Sequence, residues 1–250
     1  MSQPNRIAGG QIDDKHALSF RWNGRNLTGY AGDTLASALL ANGIRLVGRS
    51  FKYHRPRGIF SSGSEEPNAL VQLREGAAQE PNTRATMVEL FDGLVATSQN
   101  HRGALEWDLL GINDLISPLL SAGFYYKTFM WPKAFWEKLY EPVIRSAAGL
   151  GRLSELADPD IYDHGFLHCD LLVIGAGPAG LTAACAAARA GCRVVLADED
   201  FRMGGRLNAE THAVADMPGA EWASATCAEL ASMPNAVSYT HLRAHETLPN

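Results

Sequence analysis

Three glycines spaced as Gly-x-Gly-x-x-Gly, namely Gly175, Gly177 and Gly180, form the part of the chain whose residue types and spacing best suit ligand binding. In such a turn the first glycine permits a tight bend and the second lets backbone approach a pyrophosphate. The third lets a helix pack closely on a strand, and the pyrophosphate then lies against the amides at the positive end of that helix. This spacing therefore predicts a dinucleotide-binding site.

The elements that must position this turn follow each other in the order that such a site requires. An apolar run at 171–174 is too short for a helix and reads as a buried parallel strand. Residues 181–190 are small or apolar and predict a helix that begins near Pro178 and ends at Gly191. Residues 193–197 supply a second strand, which leaves Asp198 at its carboxyl end. A carboxylate there is placed to accept hydrogen bonds from a ribose and would repel a 2′-phosphate.

Composition excludes several functional classes. The chain has 250 residues, 46% of them hydrophobic, and a formal net charge of -5, which argues against nucleic-acid binding. The first 16 residues are polar and of mixed charge, so we expect no secretory segment and a cytoplasmic location. No membrane span is expected, because charged residues and Pro132 interrupt the aromatic region. The four cysteines have no zinc-like spacing, and we interpret them as core residues or free thiols: Cys169, Cys185, Cys192 and Cys227.

The N-terminal part has the pattern of a small β-grasp module. Asn23-Gly24 predicts a hairpin between two short strands, and Asp33 is placed to cap a helix that ends at Asn42-Gly43. Leu35, Ala38 and Leu39 share the apolar face of that helix. Further strands are expected at 58–59 and 69–73. This order is similar to that of plant-type ferredoxins.

Long strings along the chain resemble the alpha subunit of heterotetrameric sarcosine oxidase. They include GRSFKYHRPRGI at 48–59, FYYKTFMWP at 124–132 and VIGAGPAGLTAA at 173–184. The resemblance covers roughly residues 17–235, and the first two strings are far more specific than the glycine motif. The Gly-Gly pair in RMGGR at 202–206 also resembles the second fingerprint of flavoproteins with two dinucleotide-binding domains.

Relatives of this family that act as amino-acid or opine dehydrogenase subunits carry cysteines after the Arg-Pro-Arg-Gly turn, where they hold a two-iron two-sulfur cluster. The corresponding stretch here is SSGSEEPN at 61–68, which contains no thiol. Such clusters need four soft ligands or a close equivalent. We therefore expect a ferredoxin-like module without an iron-sulfur cluster.

The resemblance implies a subunit of an oxidase that demethylates sarcosine to glycine with formation of hydrogen peroxide. It implies NAD on this subunit, FAD in the beta subunit where the amine is oxidised, FMN between alpha and beta, and gamma and delta subunits as further partners. The expected cofactor-binding residues are Gly175, Gly177, Ala179, Gly180, Asp198, Glu199, Gly204, Gly205 and Arg206. No nucleophile, acid–base pair or metal-ligand cluster accompanies them, so we assign no catalytic and no metal residue.

Two other functions stay open at this stage. The chain would bind FAD if it were a subunit of an amino-acid or opine dehydrogenase, because NAD and FAD present the same ADP half to the first glycine turn. Alternatively, the chain would be a non-catalytic assembly module whose dinucleotide is structural. The fragment alone is expected to be inactive, because the substrate site would lie on a partner subunit.

The predicted architecture is α/β, or α+β overall. The ferredoxin-like β-grasp module spans 17–83, an aromatic-rich connector spans 84–168, and an incomplete Rossmann-type FAD/NAD(P)-binding domain spans 169–237. Residues 238–250 break the preceding pattern and are predicted to be a non-native tail. The basic run Arg45, Arg49, Lys52, His54, Arg55 and Arg57 is either a solvated loop or a site for an anion or a partner chain.

Overall fold

A computed structural model describes residues 3–7, 10–115, 117–120, 123, 131–147 and 149–241. The chain divides into two compact units, Met1–Ile161 and Tyr162–Asn250. Phe124, Tyr125, Tyr126 and Phe129 of the aromatic region lie outside the described residues, as do residues 242–250 of the predicted tail. Within the described ranges, no helix combines the length and the apolar content that a membrane crossing requires.

The first unit is built on a mixed five-stranded sheet with the strand order β2-β1-β7-β5-β6. β1 pairs in parallel with β7, and the other neighbours are antiparallel. The strands are β1 (Asp13–Trp22), β2 (Arg25–Ala31), β5 (Leu70–Leu73), β6 (Glu80–Arg84) and β7 (Leu94–Ser98), with a separate pair formed by β3 (Gly48–Arg49) and β4 (Pro56–Arg57). β7 lies in the centre of the sheet, so the sheet extends into the segment assigned to the connector. The strand expected at 58–59 is found two residues earlier, as β4.

The predicted hairpin at Asn23-Gly24 is confirmed, because Trp22 pairs with Arg25 across the turn. Asn23 and Gly24 both have positive φ, 45° and 77°, and the asparagine–glycine pair adopts this left-handed conformation at little cost. The hairpin sends Phe20, Trp22 and Leu27 into the core of the unit.

Helix α1 (Leu35–Ala41) packs Leu35, Ala38 and Leu39 into the same core, and it ends at Asn42 as predicted. The predicted cap was wrong by one residue. Thr34 is the N-cap, and its side chain accepts the Ser37 N–H while Ser37 accepts the N–H of Thr34. Asp33 is instead fully buried, where it accepts the Tyr30 N–H and the Ser37 hydroxyl.

The N-terminal residues are held to the first unit by the sheet and by an ion pair. β1 begins at Asp13, and Arg6 in the arm before it donates two hydrogen bonds to the buried Asp33 carboxylate, at 3.2 and 2.6 Å. A buried carboxylate needs a compensating charge, and the arm supplies it.

Short helical segments lie between and after the strands of the first unit, and α2 (Glu141–Ala147) is one of those that follow the sheet. The 3-10 segments are Gly63–Glu65, Gly76–Ala78, Leu109–Asp114, Ser117–Leu120 and Lys133–Phe135, and a π-helical turn spans Trp136–Tyr140. The side chains of Trp131 and Phe135 in the aromatic region are exposed.

The second unit holds a parallel three-stranded sheet with the order β12-β9-β8. Its elements are β8 (Leu171–Ile174), α3 (Pro178–Arg189), β9 (Val194–Ala197), the two-residue strands β10 (Ala213–Val214) and β11 (Met217–Pro218), α4 (Gly219–Ser232) and β12 (Ala236–Tyr239), with a 3-10 turn at Gly205–Asn208. Both predicted strands and the helix after the glycine turn are confirmed, but β8 is not the buried strand that was expected, because Leu172 is 53% exposed and Ile174 is 83% exposed. The third strand was missed because only Ala236 and Val237 precede a polar segment, and β12 extends two residues into the predicted tail.

Candidate functional site

The glycine turn between β8 and α3 has the geometry that its spacing predicts. Gly175 has a φ of +96°, which favours glycine, and its N–H donates to the Ala197 carbonyl at 2.7 Å. A Cβ on Gly180 would lie 1.8 Å from the Gly175 carbonyl oxygen, so only glycine fits where the helix crosses the strand. A Cβ on Gly177 would meet nothing within 4 Å. The turn therefore combines a tight helix–strand contact with open space beside Gly177.

The start of α3 presents backbone donors to that open space. Pro178 is the first residue of the helix and lacks an N–H. The first intrahelical hydrogen bond is donated by Leu181 to the Gly177 carbonyl, at 2.9 Å. The N–H groups of Ala179 and Gly180 precede it and have no intrahelical acceptor. Free amides at the positive end of a twelve-residue helix suit a phosphate group.

The glycine pair of the RMGGR segment packs directly against the first turn. Gly204 donates its N–H to the Ala176 carbonyl at 2.8 Å and has a φ of +123°. A Cβ on Gly205 would lie 3.1 Å from the Cα of Gly177. The two glycine segments, distant in sequence, thus form one continuous backbone surface beside the start of α3.

Asp198 lies at the carboxyl end of β9, but its carboxylate already has protein partners. One oxygen accepts the N–H of Ala176 inside the glycine turn, and the other accepts the N–H of Asp200 at 2.8 Å. Asp198 therefore ties the end of the second strand to the turn. A carboxylate has further acceptor positions, so a ribose hydroxyl could still bind it.

Two other predicted residues, Glu199 and Arg206, have exposed side chains. The Arg206 side chain is almost fully exposed and donates to Glu210 at 2.7 Å, four residues along. These two residues therefore lie at the edge of the candidate site, while Ala179 and the glycines lie at its centre.

Sequence reasoning missed Asp200, which follows two acidic residues and is partly buried. Burial raises the pKa of its carboxyl above the ordinary value, and the nearby charges of Asp198 and Glu199 raise it further, although the Phe201 N–H partly offsets both. The only signal in the sequence was the run of three acids at 198–200. This run makes the site unfavourable for additional negative charge at its ribose end.

The loop that would hold an iron-sulfur cluster in the first unit is organised by Glu66. The side chain is buried, with 1% of the residue exposed. One carboxylate oxygen accepts the N–H groups of Phe60 and Ser61, at 2.7 and 2.6 Å, and the other accepts those of Asn68 and Ala69, at 2.7 and 3.2 Å. Burial opposes ionisation, but the four backbone donors outweigh it and lower the pKa of Glu66.

These residues do not fit an iron-sulfur cluster. All four cysteines lie at position 169 or beyond, in the second unit, and no group of three potential metal ligands occurs among the described residues. The backbone N–H groups of the loop converge on a carboxylate instead. Sequence reasoning noted the missing thiols but not the function of Glu66, which only the three-dimensional loop reveals.

The basic run at 45–57 separates into residues with different surroundings. His54 is buried, and its Nδ1 lies 2.5 Å from the Asp108 carboxylate, while its Nε2 has no hydrogen-bond partner among the described residues. Arg55 forms an exposed ion pair with Asp114 and stacks on Tyr53. Burial opposes ionisation of Asp108, but hydrogen bonds from two backbone N–H groups and from His54 lower its pKa.

Comparison with protein families gives two matches, one within each unit. Residues 15–101 match a model described as a 2Fe-2S iron-sulfur cluster binding domain, and residues 170–237 match one described as FAD dependent oxidoreductase. The first unit of this mixed α/β structure is thus similar to a ferredoxin-type domain, and the second is similar to FAD-dependent oxidoreductases.

Curated relatives confirm the predicted resemblance. The chain is 59% identical, over 90% of its length, to a protein of Rhizobium meliloti (strain 1021) named sarcosine oxidase subunit alpha. It is 37% identical, over 97% of its length, to the protein of that name from Corynebacterium sp. (strain U-96). The chain spans 23% and 21% of these two relatives. A crystal structure of L-proline dehydrogenase from P. horikoshii is similar in fold, with a TM-score of 0.53 at 17% identity, covering 96% of this chain and 35% of that one.

Proposed function

We propose that this chain is the dinucleotide-binding part of the alpha subunit of a heterotetrameric sarcosine oxidase. The similarity to relatives of that name supports the assignment. In this proposal the complex demethylates sarcosine to glycine and forms hydrogen peroxide, while the catalytic flavin site belongs to the beta subunit. Gamma and delta subunits complete the assembly, and its cytoplasmic location stays a prediction.

The observation that carries the proposal is the shared surface of the two glycine segments. Gly175, Gly177 and Gly180 shape the turn, and Gly205 approaches Gly177 so closely that a side chain would crowd its Cα. The N–H groups of Ala179 and Gly180 would hold the pyrophosphate, and Asp198 would accept a ribose hydroxyl. We propose NAD as the dinucleotide, with Gly204 and Gly205 beside the turn, Glu199 and Arg206 at the periphery of the site, and FAD and FMN elsewhere in the complex.

A second candidate follows from the match of residues 170–237 to FAD-dependent oxidoreductases. In that case the same turn holds the ADP half of FAD, as in an amino-acid or opine dehydrogenase subunit. NAD and FAD can both accept a hydride, and in either case the residues of this chain would bind and orient the cofactor. A third possibility is an assembly module whose bound nucleotide takes no part in turnover.

Nucleotide released from the intact native complex separates these candidates. Mass spectrometry of the released material should identify NAD together with FAD and FMN, and the isolated alpha subunit should carry NAD alone. Flavin on the isolated alpha subunit would overturn the first candidate and support the second. If NAD is bound but its absorbance at the reduced-nicotinamide band does not change on adding sarcosine, the nucleotide is structural.

The ferredoxin-type unit is proposed to function without an iron-sulfur cluster. Four backbone N–H groups of its loop converge on Glu66 rather than on a metal centre. Iron and acid-labile sulfide in the complex purified without oxygen should both be far below one equivalent per alpha subunit. Stoichiometric iron and sulfide that stay with this unit would contradict the proposal.

A further inference from the structure

A cavity of about 220 Å³ lies inside the first unit, beside the β3–β4 pair. Its polar lining consists of Arg49, Arg57, Ser50 and the amides Asn68, Gln99 and Asn100, and Phe51 and Leu150 contribute apolar surface. Among the described residues that line the cavity, none is acidic. A concave site lined by two arginines, three amide residues and no acid favours an anionic ligand.

The charge of Arg49 is held in place without being neutralised by an acid. Its guanidinium donates to the Leu105 carbonyl at 2.8 and 2.6 Å, to the Glu106 carbonyl at 2.9 Å and to the His54 carbonyl at 3.1 Å. Within the described part of the chain, each of its acceptors is a backbone carbonyl. The positive charge of this lining residue is therefore fixed in position, and no acid among the described residues neutralises it.

Arg57 differs from the neighbouring arginine in its ion pairing. Arg55 pairs with Asp114 at 2.6 Å, whereas Arg57 is exposed and pairs with no carboxylate among the described residues. The backbone of Arg57 is nevertheless fixed, because its carbonyl accepts the Val47 N–H at 3.0 Å and its strand pairs with Gly48. The side chain can thus move onto a ligand from a rigid base.

The other walls are preformed. A Cβ on Gly48 would lie 2.9 Å from the Asn68 carbonyl, so the strand and the Glu66 loop are in close contact there. Asn100 donates to the Arg49 carbonyl at 2.8 Å, and Gln99 exchanges two hydrogen bonds with Asn82, at 3.0 and 2.7 Å. A preformed site loses little conformational entropy on binding, which favours affinity.

We propose that this cavity binds a phosphate-bearing anion, with Arg57 closing over it and Arg49 supplying fixed positive charge. Guanidinium groups match phosphate oxygens in pairs of hydrogen bonds, and the amides supply further donors. Phe51 and Leu150 would contact an apolar part of a phosphate ester. The site lies wholly in the first unit, and it is additional to the dinucleotide site proposed at Gly175.

Calorimetric titration of the chain with inorganic phosphate, phenyl phosphate and acetate tests this proposal. Both phosphates should bind, acetate more weakly, and the ester should bind more tightly than inorganic phosphate if its apolar part uses the cavity. Arg57→Gln should weaken phosphate binding at least about tenfold, the effect of losing one charge-assisted pair. The matched control Arg25→Gln removes an exposed charge on β2 and should leave the affinity unchanged.

Arg57→Lys keeps the charge but loses the planar fork, so its affinity should fall between those of the wild type and Arg57→Gln. This variant also covers the case in which Arg57→Gln fails to fold, which circular dichroism would reveal. Equal affinity of the wild type and the folded Arg57 variants would overturn the proposal, because any remaining phosphate would then be bound elsewhere, such as at the start of α3. Absence of phosphate binding at millimolar concentration would overturn it as well.

Discussion

The two units of this chain differ in whether their buried carboxylates and backbone N–H groups have hydrogen-bond partners within the unit. In the first, the buried carboxylates of Asp33, Glu66 and Asp108 each accept hydrogen bonds from several donors of the unit itself. In the second, Asp200 has fewer donors, and the Ala179 and Gly180 amides at the start of α3 have no intrahelical acceptor. The polar interior of the first unit therefore stabilises its own fold, whereas the second leaves polar groups available to a ligand.

The largest effect on this difference between the units is expected from a substitution at Gly180. Replacement by alanine would place Cβ 1.8 Å from the Gly175 carbonyl, so helix and strand must separate. We expect Gly180→Ala to destabilise the second unit by about 3 kcal/mol, the upper end of the usual range for overpacking, and to abolish nucleotide binding. Urea unfolding monitored by hydrogen exchange of each unit measures this, and the first unit should be unaffected.

Gly177→Ala is the matched control, because its Cβ would meet no atom within 4 Å and its φ of -70° suits alanine. This variant should keep the stability of the second unit and lose nucleotide only. If Gly177→Ala retained its nucleotide, the open space beside Gly177 would not be the binding site. If Gly180→Ala were as stable as the wild type, the close helix–strand contact would not be required.

Glu66 is the corresponding test of the first unit. Glu66→Ala would leave four buried N–H groups without an acceptor, and we expect a loss of about 3 kcal/mol in the free energy of unfolding. Glu66→Gln should cost less, because one oxygen still accepts while the amide group faces two donors. Thermal unfolding measures both, and Glu65→Gln, which changes an exposed neighbour, should have almost no effect. A wild-type melting temperature for Glu66→Ala would show that the loop does not depend on its carboxylate.

A third difference between the units is the edge of the second sheet formed by β8, which has no neighbouring strand on its outer side among the described residues. Leu171 donates its N–H to Arg193 and Gly175 donates to Ala197, so the alternating amides of Leu172 and Ile174 point away from β9. Leu172 is 53% exposed and Ile174 is 83% exposed, although both are apolar. We expect these two amides to exchange about a hundredfold faster in this chain than in the full-length polypeptide, where a further strand would cover the edge.

Hydrogen exchange followed by mass spectrometry on both proteins measures this difference. The buried amides of β9 serve as the internal control, since that strand has neighbours on both sides in the 250-residue chain. Equal, fast exchange at Leu172 and Ile174 in the full-length protein would mean that the edge stays open there.

Much of this arrangement could be predicted because local patterns determine it. Asn23-Gly24 has the backbone preference of a hairpin turn, and the spacing of Gly175, Gly177 and Gly180 reports a helix–strand contact that excludes a side chain. These are short-range constraints, and the sequence carries them within a few residues.

The features that could not be predicted depend on partners distant in sequence. Arg6 reaches Asp33, His54 reaches Asp108, and strand β12 pairs with β9 only after α4 returns the chain to the sheet. Glu66 lies near its donors in sequence, but nothing in SSGSEEPN distinguishes it from Glu65 until the loop is folded. Long-range pairing and loop closure are therefore the parts that required the structure.

The smallest expected effect concerns the pH dependence of the two units, which should have opposite signs. The pKa of Glu66 is lowered, so its contribution to stability is present above the ordinary glutamate pKa and is lost as pH falls through the folded-state value. The pKa of Asp200 is raised by burial and by its acidic neighbours, so folding is favoured while Asp200 is protonated and is weakened as pH rises through its folded-state pKa.

Asp200→Asn should therefore stabilise the second unit at neutral pH by up to about 1 kcal/mol, the scale of a single charge interaction between partly exposed groups. Asp216→Asn, at an exposed position, is the control, and melting temperatures of each unit between acid and neutral pH measure the effect. An unchanged or lower melting temperature for Asp200→Asn at neutral pH would mean that Asp200 is as well supplied with donors as Glu66, and the contrast between the two units would then not extend to their carboxylates.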